Sequence, residues 1–282
     1  MKIVPFDPSA FHQDHPAGTV SFNYLLMGDE PQSSENYRYI LGRQDADFYM
    51  PRHRHTFEQV RLPIVGDMNL GEQGILRQGE IGYFPEGLHY GPQNDPLGEG
   101  KPGERLQLAL QFGGASGLGC PGRGRGPAAR RADGERRERR TIKFPRPRYN
   151  NVIILNPAHF NWLPVAGVAG VERKYFGSFT ERAFWIEMIK VDAGAEWLSA
   201  GEGARRLIVA LSGTATANGI EIGRLAAIEA DAGEKLHVRA TEEIVLHIVG
   251  LTPVPELSTR SDEFDLVNSS GVVQFENPMQ AI

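Results

Sequence analysis

Residues 47–94 read DFYMPRHRHTFEQVRLPIVGDMNLGEQGILRQGEIGYFPEGLHYGPQN and hold the one dense set of metal-capable side chains in the sequence. In extended chain, alternate side chains share a face. His53, His55, Phe57, Gln59 and Arg61 then point one way, and Arg54, Glu58, Val60 and Leu62 the other. Two imidazoles and a carboxamide converge, with a guanidinium two residues beyond. Glycines at 66, 71, 79 and 87 punctuate the rest of the stretch into short runs, the rhythm of a closed antiparallel barrel or sandwich.

These residues resemble the cupin superfamily, whose first motif is His-x-His, an acid or amide four residues on, and a Gly seven residues later. His53, His55, Gln59 and Gly66 match it, with Asp47 where the family opens on Gly. The second motif maps onto Gly79, Pro85, Gly87 and Asn94. Its fourth-ligand position falls on Tyr90, one residue after His89. The resemblance implies an all-β fold of jelly-roll-like double-stranded β-helix barrels. It also implies a divalent transition metal (Fe, Mn, Ni, Zn or Cu) drawn from His53, His55, Gln59 and His89. Register from Pro85 and Gly87 turns Tyr90 inward, and a one-residue deletion in the loop is the way to bring His89 in.

Arg61 and Tyr90 are the candidate catalytic residues. Arg61 shares the face of the imidazoles and suits a substrate carboxylate, held bidentately. Tyr90 is a phenolate ligand or a proton donor. The competing readings are a surface His-x-His pair, an Arg61 ion pair with Glu58 or Glu72, and a Tyr90 that only packs.

Composition bounds the rest. A chain of 282 residues with 40% hydrophobic side chains is long enough for two domains with cores, and 33 glycines and 19 prolines suit many short strands joined by turns. One cysteine, Cys120, excludes an intrachain disulfide and a cysteine-based zinc site. A net charge of −5 gives no overall attraction to nucleic acid. With no secretory pattern and no apolar run of membrane-spanning length, the expectation is a cytoplasmic protein with no membrane contact.

Strand-like segments precede the motifs at Val20–Leu26 and Tyr37–Gly42, and Leu106–Phe112 alternates cleanly. Residues 123–140 then carry eight arginines against Asp133, Glu135 and Glu138. Three readings stand: a solvated linker, a segment binding phosphates of nucleic acid or an acidic partner, and an out-of-frame stretch of a GC-rich gene. The second half repeats the strand rhythm at Val152–Leu155, Val171–Phe179, Ala183–Val191, Leu207–Leu211, Ile220–Glu229 and Ile244–Gly250. RRLIVALSG echoes EQVRLPIVG, so Gly213 matches Gly66, and Ala200, Glu202 and Arg206 stand where the first half has His53, His55 and Gln59. The expected organisation is a site-bearing barrel at 1–113, a linker at 114–143 and a degenerate barrel at 144–282.

That layout resembles bicupins whose empty half serves packing or dimerisation, so a homodimer is expected. The functional expectation is a metal-dependent dioxygenase, isomerase or lyase acting on a small oxygenated or carboxylated metabolite. The alternative is a cupin that grips a ligand without turning it over.

Overall fold

The computed structural model describes residues 1–12, 20–30, 33–44, 48–94, 105–120, 142–199, 201, 203–254, 264–267 and 273–275. Among these, regular structure is almost wholly antiparallel strand, with a single 3-10 turn at Pro157–His159. Among the described residues no helix is long and apolar enough to cross a membrane. The chain divides into two compact units: Ala10–Leu155 with Val254–Ile282, and Met1–Ser9 with Asn156–Pro253.

In the first unit a sheet runs, in spatial order, Ile153–Leu155, Ile81–Phe84, Glu58–Val65, Arg105–Phe112, Tyr37–Gln44 and Val20–Met27. Register across it is set residue by residue: Gln59 lies opposite Gln111 and Phe84, and Arg61 opposite Ala109 and Gly82. Short pairs complete the unit, including His53–His55 against Val273–Phe275 and Tyr49–Met50 against Gln93–Asn94. Met68, Leu70, Leu76, Phe84, Leu88, Tyr90 and Val152 form an apolar cluster. Each large side chain buried there contributes on the order of 1.5–3 kcal/mol.

The second unit has the same plan. Arg205–Ser212 is its counterpart to Glu58–Val65, and each strand of eight residues is followed directly by a glycine, Gly66 at φ 74° and Gly213 at φ 75°. That left-handed turn favours a residue without Cβ. At Gly213 an added Cβ would also stand 2.0 Å from the Glu243 carbonyl oxygen. Ile189, Val191, Trp197, Ile208, Val238, Leu246 and Ile248 fill the interior between the two sheets of this unit. The run Ile220–Glu229 is two strands, Ile220–Ile222 and Ala227–Ala230, separated by a turn in which Ala226 N–H donates to Gly223.

The units depart from the expected boundaries in three places. Lys2–Val4 pairs with Ala227–Glu229 of the second unit, although it opens the chain. Ile153–Leu155 adds to the first sheet beside Ile81–Phe84, so the first unit runs on to residue 155. Residues 114–120 are packed: Ala115, Ser116 and Cys120 are buried, and the Asn36 amide donates to the Cys120 carbonyl at 2.8 Å. Of the expected linker, 121–141 lies outside the described residues. So do Ala200 and Glu202 of the degenerate site, while Arg206 is buried and donates to Ser199 Oγ and the Glu234 carbonyl.

Candidate functional site

Tyr90 and His53 exchange both backbone hydrogen bonds, at 3.0 and 3.1 Å, and Gly87 N–H donates to the His55 carbonyl at 2.7 Å. A pair that exchanges both bonds sits directly opposite, with its side chains on one face. This fixes the register: Tyr90 joins the face of His53, and the half-buried His89 is turned out of that set. Gly87, at φ 77°, lets the loop make this approach; a Cβ there would stand 2.0 Å from the Pro145 carbonyl oxygen.

The Tyr90 hydroxyl lies 3.0 Å from His53 Nε2, 3.0 Å from His55 Nε2 and 3.0 Å from Gln59 Nε2, and accepts from Arg61 Nη2 at 2.8 Å. Arg61 also donates to Gln59 Oε1 through Nη2 at 2.8 Å and Nε at 3.2 Å. Its guanidinium carbon lies 4.8 Å from the Phe84 ring centre and 5.3 Å from that of Tyr90. All five residues are buried. Of the sequence candidates, the structure thus brings His53, His55, Gln59, Arg61 and Tyr90 together and leaves His89 aside.

Proton positions follow from the partners. His53 Nδ1 faces the Pro51 carbonyl at 2.7 Å, so Nδ1 carries the proton and a neutral His53 presents a lone pair at Nε2. Gln59 and Arg61 use N–H groups, which fills the two acceptor positions of a phenol oxygen. The single phenol proton is then left for the imidazole nitrogens and bonds fully to one of them at a time. Burial pushes the Tyr90 pKa up, and the Arg61 charge and the Gln59 bond pull the other way.

Arg61 has no carboxylate partner among the described residues. Glu72, one expected partner, pairs with Arg52. Glu58, the other, faces away and accepts from Tyr83 at 2.6 Å. Two further side chains on the inner face escaped the sequence reading. Gln107 and Gln111 flank Ala109, which sits opposite Arg61, and both have a buried Oε1 without a hydrogen-bond partner. Diagonal neighbours of this kind lie about 7–8 Å apart. The strand LQLALQF alternates, but alternation does not tell which face is solvent and which is barrel interior.

As arranged, these side chains do not fit a divalent ion. The imidazole nitrogens suit one, yet Gln59 turns its N–H group rather than its oxygen to the centre, a guanidinium stands beside it, and the phenol oxygen occupies it. Among the described residues no three His, Cys, Asp or Glu side chains come together as a metal set.

No protein-family model and no curated protein matches the chain. Solved structures do. A candidate dioxygenase of Nostoc punctiforme superposes with a TM-score of 0.58 at 12% identity, over 94% of this chain and 81% of its own. Oxalate decarboxylase of Bacillus subtilis, with its Mn(II) centres, gives 0.55 at 13% identity over 88% and 77%. Vicilin of hazelnut, Corylus avellana, gives 0.52 at 11% over 87% and 84%. The likeness establishes the fold, two jelly-roll barrels of antiparallel strand.

Proposed function

We propose that this bicupin is an enzyme whose first barrel binds a small hydroxylated carboxylate and moves a proton on it, as an isomerase or a lyase. The observation that carries the reading is Arg61. A guanidinium taken out of water without a counter-charge is destabilising by several kcal/mol, and Gln59, Tyr90 and two aromatic faces compensate it only in part. A ligand carboxylate supplies the missing charge. Gln107 and Gln111 offer acceptors that ligand hydroxyls satisfy. Ala109 and Gly82 on either side of Arg61 keep the strands beside it slim. Tyr90 is the acid–base group, its proton held toward His53 and His55 and its oxygen supported by Arg61 as negative charge develops.

The metal-dependent reading takes its support from the inward imidazoles and from the Mn(II) centres of oxalate decarboxylase. It requires Tyr90 to leave the centre. A third reading, binding without turnover, uses the same residues.

Calorimetric titration with glycerate, tartrate and gluconate, followed by NMR in D2O, separates these readings. At least one acid should bind, and Arg61→Met should weaken it on the order of 100-fold, the worth of a charge-assisted bidentate contact. Deuterium should enter at the carbon next to the carboxylate in the wild type and not in Tyr90→Phe. Binding without exchange would favour the non-catalytic module, and no binding to any of the three would remove the carboxylate reading.

A further inference from the structure

The Tyr90 hydroxyl stands at the point where His53, His55, Gln59 and Arg61 all come within 2.8–3.0 Å. Nitrogen ligands gathered round one centre are what a coordinated ion collects, but here the centre is an oxygen atom of the chain. A phenol reaches farther from its Cα than an imidazole does. From a backbone position facing His53, its oxygen therefore arrives among the ligands instead of beside them.

We propose that the Tyr90 hydroxyl takes the place of a metal ion, that Arg61 supplies the fixed positive charge such an ion would bring, and that the first barrel works without metal. Three further observations lead there. Gln59 Oε1 accepts two bonds from Arg61, and turning it to the centre would break both. The guanidinium nitrogen is 2.8 Å from the phenol oxygen. A divalent ion at that point would stand against a like charge at close range in a buried site, where repulsion is only weakly screened. Both imidazole Nε2 atoms lie 3.0 Å from the phenol oxygen, which stands where an ion between them would sit, and His53 is held in its tautomer by Pro51. The guanidinium is also permanently charged, so the site keeps its electrophile at every pH at which the protein is folded. This inference concerns the free protein and does not depend on which acid binds.

The test is metal content. Wild type and Tyr90→His are expressed in medium supplemented with Mn, Fe, Ni, Cu and Zn, purified without chelator and analysed by mass spectrometry, with circular dichroism and thermal melts as folding controls. Wild type should carry far less than one equivalent of any metal, and its melting temperature should not move with EDTA or with millimolar Mn(II). Tyr90→His removes the oxygen and adds a third imidazole, so it should gain about one equivalent and lose it again with His53→Ala. Stoichiometric metal in the wild type, or a Mn(II)-induced rise in its melting temperature that His53→Ala abolishes, overturns the proposal. So does a folded Tyr90→His protein that still binds nothing. If Tyr90→His fails to fold, the wild-type metal content and melting shift decide alone. A metal-free wild type that binds no hydroxy acid would sink the substrate reading and leave this one standing.

Discussion

Replacing Tyr90 by Phe leaves His53, His55, Gln59 and Arg61 facing a ring edge with no oxygen to bond. Each buried polar group stranded in this way costs about 1–3 kcal/mol, and water can recover part of it. We therefore expect Tyr90→Phe to lower the unfolding free energy by about 2–4 kcal/mol in urea titration, whereas His89→Ala should change it by less than about 1 kcal/mol. Equal losses would mean that Tyr90 is not the hub. At Cys120, burial pushes the thiol up to about 11, so it should resist alkylation at neutral pH in the folded protein; rapid labelling would contradict its packed position. Parity along HRHTFEQVR made the inward face legible, because a period of two leaves no freedom once one residue is placed. The place of Tyr90 at the centre was less legible. Reach and direction depend on a backbone pair 37 residues apart in the chain.

The strand Glu58–Val65 carries a polar cluster on each face. Behind Gln59, Glu58 and Glu86 are both fully buried. Tyr83 donates to Glu58, while Glu86 accepts from Ser116 N–H at 2.8 Å, Ser116 Oγ at 2.6 Å and Arg148 at 3.1 Å. Burial, and then the negative charge of Glu86, push the Glu58 carboxyl up to about 8. In the unfolded chain it ionises near 4.3. Its folded pKa is raised, so the stability it contributes is present below the unfolded value and is lost as pH rises towards 8. Urea titrations from pH 5 to 8.5 should show the wild type weakening across that window. Glu58→Gln, which keeps an acceptor for Tyr83, should flatten the slope; an unchanged slope would place the titration elsewhere. The Glu58 cluster was not legible because its cover comes from Ser116, within the expected linker, and from Arg148, 90 residues along the chain.

At the scale of the molecule, strand type and the doubled plan were legible because turns and alternation are local signals. Segment exchange was not. No local pattern tells that Lys2–Val4 completes the sheet beside Ala227–Glu229, or that Met1 reaches Glu234 with its α-ammonium group. Deleting residues 1–9 should therefore raise amide hydrogen exchange at Ala227–Ala230 and leave Glu58–Val65 unchanged, since local opening follows the contacts removed. The opposite pattern would reassign that strand. The account as a whole stands on what occupies the centre of the first barrel. The most direct measurement is anomalous-difference density from crystals grown in millimolar Mn(II). Expected is no peak between His53, His55 and Tyr90, with the phenol oxygen held among its four nitrogen partners. A peak at roughly 2.0–2.3 Å from both imidazole nitrogens, with Tyr90 displaced or bound to it, would contradict the account.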